Sequence, residues 1–580
     1  MKPVNQRRWK VRKKLDTSDP RVDDLSKQLN IDPLTAQVLL MRDVDNAREG
    51  KDFLEAKLSS LPDPDLLPDM AVACHRLGQS LKSRERISVH GDYDVDGITG
   101  CTLLVETLRN LGAEVTYHIP LRLKDGYGLS AEAVQATKAQ GCQLLISVDC
   151  GISAHAEADL AAELGLDLII TDHHQPSEDL PECLAVINPH LRTNRFPWKD
   201  LSGVGVAFFL LVALRRYLRE DGFFKDRPEP DLRQGLDLVA MGTVADIVPL
   251  GGVNRILVRS GLQLLEKGQR PGIAALKSVS EVTQVTSGVV GFRLAPRLNA
   301  AGRIEDAALG VELLLKEKSQ DALPLAQLLD DFNRERQQLE QQVLSDAINL
   351  LESDQYNDDR RTIVLASENW HSGVIGIVAS RLVERYHRPT VLISLTDGEP
   401  GKGSARSVPG LNLFRALTEC RSMFLGFGGH SMAAGLSIAA ENIADFQGAF
   451  EKIVDNMIST DDLCPLISHD GDIQLTRLSR LIVKELDGLN PFGMGNPQPA
   501  FVSRGCRVLE KRILVDKHLK FVTEQAGKRL DCIAFGLAER FDELNETVDL
   551  LYRPSLNSWR GKESVQLQIV DFSGSIKEEI

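Results

Sequence analysis

The sequence lacks any apolar run of about 18 residues, so no membrane-spanning helix is expected. Its basic opening, MKPVNQRRWKVRKK, is not followed by the short apolar core of a secretory leader, and export is not expected either. No Cys-x-x-Cys pair occurs. The nine cysteines are scattered, which argues against a zinc ribbon and reads as the reduced thiols of a cytoplasmic protein. Internal repeats and low-complexity segments are missing as well. So is an excess of positive charge, the net value being −14. A nucleic-acid-binding domain is usually basic. Acidity gathered at a metal pair would be neutralised there, however, and a multidomain chain need be basic only locally. The overall charge therefore decides nothing.

What is present describes an ordinary globular chain, 43% hydrophobic and 26% charged. At 580 residues it is too long for one hydrophobic core, and roughly three to five domains are expected. The pattern is helical and polar from Ile31 to about Leu58. From Ile87 to about Gly261, short apolar runs (87–89, 144–148, 166–170 and 185–187) alternate with helical stretches, the mark of a wound parallel α/β sheet. Apolar residues recur at helical spacing from Asp321 to Glu352, predicting one long amphipathic helix between domains, with Pro324 in its first turn. A second α/β unit follows, with strands at 362–366 and 390–395 around a helix from Val374 to Tyr386. Short β-rich runs from Phe501 to Val570 predict a small all-β barrel. The expected divisions are a helical segment 1–60, a catalytic domain 61–320, a connecting helix 321–356, a second domain 357–458 and a barrel domain 459–580.

Acidic and imidazole groups stand where the first unit's elements end. His90-Gly91-Asp92-Tyr93-Asp94-Val95-Asp96 follows the strand 87–89, Asp149 follows 144–148, and Asp172-His173-His174 follows 166–170. Asp246 closes an apolar helical stretch, 236–244. In open α/β sheets ligands bind at the carboxyl ends of strands. A lone Asp there is more often a helix cap or turn former; four separate ends carrying Asp, two of them with His, are harder to dismiss. His90, Asp94, Asp96, Asp149, His173 and Asp246 make up a set that suits Mg²⁺ or Mn²⁺. Two such ions can clamp the attacking and leaving oxygens of a phosphoryl transfer.

The segments HGDYDVDG, SVDCG, TDHH and GTVADIVPL resemble, in order, the four motifs of the DHH phosphoesterase superfamily. The resemblance implies two divalent ions, Mn²⁺ or Mg²⁺. His90, Asp94 and Asp149 would hold one, and Asp96, Asp149, His173 and Asp246 the other, with Asp149 bridging. It further implies that His174 faces the scissile phosphate, that Asp172 orients its neighbours, and that Asp92 is only supportive. LKDGYGL, LAPRLNAAGR, WHSGVIG, GGH with Ala434-Gly435, and NPFGMGNP resemble the RecJ exonucleases of that superfamily over most of the chain. This implies a DHH domain, a DHHA1 substrate-binding domain and a single-strand-binding OB-fold.

The implied activity is 5′→3′ degradation of single-stranded DNA to mononucleotides. The implied setting is cytoplasmic DNA repair and recombination, with a RecQ-type helicase and a single-strand-binding protein as partners; a monomer is expected. Arg122, Ser404, Arg406 and one of Arg297 or Arg303 would bind phosphates near the 5′ end. The glycines of GKGSARS and GFGGH, Gly428 and Gly429 among them, let backbone approach phosphate closely. His371 and His430 are further substrate-contact candidates. The family usually has Gly-Ser-Gly-Arg-Ser where this chain places Ala405. Basic residues in the barrel, interleaved with Phe501, Phe521 and Phe535, fit on composition alone a solvated face over an aromatic core; the resemblance favours a single-strand platform. A phosphodiesterase of very short oligonucleotides is the competing enzyme and would lack the barrel. A binding scaffold with a decayed nuclease core would have lost ligands, and none is missing.

Overall fold

The computed structural model describes residues 7–15, 18–121, 126, 128–353, 360–559 and 561–574. Strand β1 (Arg8–Val11) leads into helices Pro20–Leu29, Pro33–Leu40 and Ala47–Glu55. Asp19, Asp32 and Asn46 cap these helices, their side chains accepting from the N–H groups of Arg21, Leu34 and Glu49. The stretch expected to be polar is thus two helices. Pro33–Leu40 is apolar and buried at all but its first residue.

Five strands form the first sheet: β2 (Arg86–Gly91), β3 (Glu114–His118), β4 (Leu144–Val148), β5 (Asp167–Thr171) and β6 (Ala185–Ile187). All pair in parallel, in the order β3-β2-β4-β5-β6. Val89, Ile146 and Ile169 are fully buried, along with most of the helices Val95–Asn110 and Gly203–Glu220. Burial on both faces is what turns these strands into continuous apolar runs. The chain order reverses between β2 and β4, so a crevice opens at their carboxyl ends.

The helix Ser319–Glu352 runs 34 residues. It begins two residues before its expected start, which puts Pro324 in the second turn. Ala322, Ala326 and Leu329 enter the core of the first domain, while Val343, Ala347 and Leu351 pack with Trp370, Ile375 and Val378 of the second. The second domain holds β7 (Ile363–Ser367), the helix Ile375–Tyr386, β8 (Thr390–Thr396), β9 (Glu399–Arg406), β10 (Phe424–Gly429) and β11 (Ala433–Ile438), with sheet order β10-β11-β9-β8-β7. Ala405 lies inside β9, paired with Val391 and Ala434 and fully buried. Its departure from glycine therefore meets no positive-φ requirement.

After β12 (Leu466–His469), strands β13 (Phe501–Leu514), β14 (His518–Gln525), β15 (Lys528–Ala534), β16 (Thr547–Trp559) and β17 (Lys562–Gly574) close a barrel. The N-terminal segment packs onto this barrel. β1 pairs in parallel with β12, and Leu34, Val38 and Leu39 share one core with Leu486, Phe501 and Phe521. Arg255 of the first domain joins the two bodies. Its buried guanidinium donates to the carbonyls of Phe53 (2.7 Å) and Leu489 (2.8 Å). Two of the three suggested base platforms are core residues, because Phe501 and Phe521 are buried; only Phe535 is exposed. Strand alternation explains this, since both rings fall on the inward-facing set.

Candidate active site

The residues after β2, β4 and β5 meet in the crevice where the chain order reverses. Asp94 caps the helix Val95–Asn110, its Oδ1 accepting from the N–H groups of Asp96 (2.9 Å) and Gly97 (3.2 Å). Asp96, in the first turn of that helix, is buried. Its two carboxylate oxygens accept from the N–H groups of Gly203 (2.6 Å) and Val204 (2.9 Å), at the start of the helix Gly203–Glu220. That helix dipole offsets part of the local negative charge. Asp149 follows β4 with φ of +63°, a left-handed conformation uncommon outside glycine. Gly203 packs against it so closely that a Cβ there would lie 2.5 Å from the Asp149 Cβ and 2.8 Å from its Oδ1. A Cβ on Gly242 would lie 2.7 Å from Asp96 Oδ1. Neither glycine stands out in the sequence, since each owes its role to a partner some fifty or more residues away; the SGVG start of a long apolar helix was the only local signal.

His173 stands at the centre of the group. Its Nε2 lies 3.0 Å from Asp149 Oδ1, 3.5 Å from Asp246 Oδ2 and 3.9 Å from Asp96 Oδ2. That Nε2 atom is buried with no hydrogen-bond partner among the described residues, and the same holds for Asp246 Oδ2. Buried donors and acceptors left facing one another call for a further group between them. Ligand atoms of Asp96, His173 and Asp246 fall within 4.8 Å of one another, as do those of Asp92, Asp94 and Asp149, and those of Asp149, His173 and His174. Asp149 thus belongs to both a carboxylate half-site and an imidazole half-site. Oxygen donors with one imidazole suit a hard divalent cation.

One expected ligand, His90, is not in these three groups, although its buried Nδ1 has no hydrogen-bond partner among the described residues. His90 turns its Nε2 to Thr137 Oγ1 (2.9 Å) and Ser88 Oγ (3.2 Å), beside His118 at 5.0 Å between ring centroids. Asp92, which the family pattern skips, joins Asp94 and Asp149 in the carboxylate half-site. Strand alternation turns the His90 side chain to the same face as Ser88.

Burial and mutual repulsion set the protonation of the group. Burial, then the Asp94 charge, lifts Asp96 to about 7; burial, then Asp96 and Asp94, lifts Asp246 to about 9. Asp149 is raised by burial and by Asp96. Burial holds His173 down at about 4. These carboxyls carry raised folded-state values, so without cations the fold binds more protons than the unfolded chain from about pH 4 upward. Stability of the cation-free protein then falls as pH rises toward about 9. A divalent ion competes with the same protons and gains as they leave. The thermal shift produced by Mn²⁺ over EDTA is accordingly expected to be larger at pH 8.5 than at pH 6; equal shifts would contradict this electrostatic picture.

Asp172 is buried and accepts from the backbone N–H groups of Ile152 (2.9 Å), His173 (2.7 Å) and His174 (3.1 Å). Burial alone would raise its carboxyl, but the His174 contacts outweigh it and the net shift is downward. His174 Nδ1 lies 2.8 Å from Asp172 Oδ1. Burial opposes charge on this ring, yet the Asp172 bond prevails and its value is raised. With Nδ1 held, Nε2 is the atom left to address a substrate. The ring lines a cavity of about 410 Å³ together with Gly151, Asp172, Gln175 and, from the second domain, His430.

The remaining expected residues divide. Ser404 and Arg406 lie beside Gly376, where a Cβ would come within 2.8 Å of Ser404 Oγ and of Arg406 Nη2, at the start of the helix Ile375–Tyr386. His371 Nδ1 accepts from the Gly373 N–H (3.1 Å), and Arg303 donates to the Gly373 carbonyl (3.0 Å), tying the two domains at this point. Gly428 is open on its side-chain face, whereas Gly429, at φ +148°, is packed against the Ala433 carbonyl. Arg297 is drawn off by Asp330 of the long helix at 2.8 Å. Arg122 lies outside the described residues.

Comparison with known proteins accounts for this arrangement. The sequence matches the DHH family N-terminal domain over 86–243, the DHHA1 domain over 359–456 and the RecJ OB domain over 469–571. It is 38% identical to the single-stranded-DNA-specific exonuclease RecJ of Bacillus subtilis, over 98% of this chain and 71% of that protein. This chain belongs to the RecJ family. The RecJ of Dickeya dadantii is 42% identical, over 89% of this chain and 92% of that one. The crystal structure of Thermus thermophilus RecJ in complex with Mn²⁺ superposes with a TM-score of 0.83 at 32% identity, covering 98% of this chain and 80% of that one. A Mg²⁺ complex of the same RecJ superposes with a TM-score of 0.78.

Proposed function

We propose that this RecJ-family chain degrades single-stranded DNA from the 5′ end, releasing mononucleotides by two-metal hydrolysis with Mn²⁺ or Mg²⁺. The observation that carries this reading is the shared position of Asp149 between two half-sites, with His173 Nε2 facing three carboxylates and bonded to none. Asp92, Asp94 and Asp149 would hold one ion; Asp96, Asp149, His173 and Asp246 would hold the other. When bound, the ions polarise the phosphoryl oxygens, lower the pKa of the attacking water and stabilise the leaving oxygen.

The chain's own groups do the rest. Asp172 fixes the His174 ring through Nδ1, and His174 Nε2 donates to the scissile phosphate. Ser404, Arg406 and the start of the helix Ile375–Tyr386 bind the terminal phosphate, where backbone N–H groups and a guanidinium both favour an anion. Open backbone at Gly428 and the imidazole of His430 complete the wall of the second domain. The barrel adds affinity for the strand through exposed cations such as Arg512 and Lys517. Its presence speaks against a phosphodiesterase confined to very short oligonucleotides.

The polarity is tested with strands labelled at the 5′ or 3′ end, with and without Mn²⁺. Early release of the 5′ label as a mononucleotide, from single strands only and blocked by EDTA, is expected. Early release from 3′ ends, or equal attack on a blunt duplex, would overturn the reading. Within the site, Asp92→Asn is expected to cost roughly 10²-fold in activity and His90→Gln less than about tenfold. The reverse order would restore the family pattern's assignment of His90. The setting is cytoplasmic repair and recombination, in which a RecQ-type helicase supplies the strand and a single-strand-binding protein covers it. The enzyme acts there as a monomer.

A further inference from the structure

Three large apolar side chains stand exposed around the residues that follow the metal group. Ile247, directly after Asp246, is 66% exposed; Phe292 is 87% exposed and Met494 56%. Two of them sit on unusual backbone. Ile247 has φ of +61°, a conformation a β-branched residue rarely adopts. Phe292 sits in a single π-helical turn, Val290–Leu294, whose two end residues are buried while it points out. Such turns concentrate at functional sites.

The three positions belong to segments locked together. Ile247 N–H donates to the Val244 carbonyl (3.3 Å), and a Cβ on Gly291 would lie 4.0 Å from Val244 Cγ1. Leu250 N–H donates to the Met494 carbonyl (2.7 Å), and Ser287 Oγ donates to the Phe492 carbonyl. The apolar group therefore runs from Asp246 to the turn that introduces the barrel.

We propose that Ile247, Phe292 and Met494 form a strip on which unpaired bases of the single strand stack between the barrel and the metal centre. This rests on the nucleic-acid substrate given under Proposed function and names how its bases are held. Continuity with both ends decides the occupant. Ile247 directly follows Asp246 in the chain, and Met494 lies in the turn that introduces the barrel. The cavity wall around Gly151, His174 and His430 is polar and suits phosphate; the strip supplies the apolar surface that bases require. Stacking on an aromatic side chain is tolerant of sequence and changes affinity by roughly tenfold per base. A base inside a duplex has both faces covered by its stacked neighbours, so the strip also favours single strands over duplex.

The test measures fluorescence anisotropy of a short labelled single strand with the full chain in EDTA, in parallel with its cleavage in Mn²⁺. Phe292→Ala is expected to weaken binding of the base-bearing strand about tenfold and to leave binding of an abasic strand of equal length unchanged. Phe292→Trp is expected to restore affinity. The thermal midpoint in Mn²⁺, which should not move, shows that the fold is intact. Wild-type affinity in Phe292→Ala, or an equal loss on the abasic strand, would overturn the strip. Failure of the wild-type chain to cleave the strand in Mn²⁺ would instead overturn the exonuclease reading, and the binding comparison would still decide the strip.

Discussion

Asp149→Asn is expected to lower single-strand cleavage by roughly 10⁴-fold, as loss of a residue that acts as part of a unit does, while strand binding in EDTA stays within about twofold of wild type. Asp149 is the one carboxylate common to both half-sites, and its Oδ1 is 3.0 Å from His173 Nε2. An amide keeps the volume but removes the negative charge from a place where both ions would need it. The removed charge also relieves repulsion with Asp96, Asp94 and Asp246, so the cation-free variant should be no less stable than the parent. A stable, binding-competent and inactive protein is therefore expected, its stabilisation by Mn²⁺ sharply reduced. Activity within tenfold of wild type would contradict the bridging role.

The second large effect comes from a residue with no functional group. Gly203→Ala is expected to cost roughly 10³-fold in activity, since displacement of about 1 Å at a reacting group can cost 10²-fold and here two carboxylates move. The added Cβ would lie 2.8 Å from both the Cα and the Oδ1 of Asp149. It cannot be relieved by a side-chain rotation, because backbone is one of the atoms met. The same residue's N–H holds Asp96 Oδ2 at 2.6 Å, so a shift of the helix start disturbs that ligand too. Alanine is otherwise a better helix former than glycine, which keeps the global fold. Cleavage kinetics together with Mn²⁺ titration by thermal shift check the prediction. Near-normal activity would mean that the helix start gives way without moving the ligands.

How far this site could be read in advance depended on the range of the forces involved. Strand ends carrying Asp149 and His173 were legible because β4 and β5 are buried on both faces and so appear as uninterrupted apolar runs. The long helix was legible from its own periodicity. Arrangements made across the sequence were not. Gly203 and Gly242 acquire their roles only when packed on Asp149 and Asp96, and the pairing of β1 with β12 joins residues more than 450 positions apart. His90 shows a different limit. The motif places it among ligands; in the fold its Nε2 faces Thr137, and Asp92 is the residue grouped with Asp94 and Asp149. Phe501 and Phe521 looked like base platforms in a basic segment; their inward strand positions make them core. Phe292, exposed beside Gly291, lies in a π-helical turn that left no periodic signature.

The arrangement of ligands is tested most directly by anomalous diffraction at the manganese edge from crystals of the full chain grown with Mn²⁺. Two peaks are predicted on either side of Asp149, one bounded by Asp92 and Asp94 and the other by Asp96, His173 and Asp246. A peak held by His90, or a single peak that Asp149 does not touch, would contradict the account.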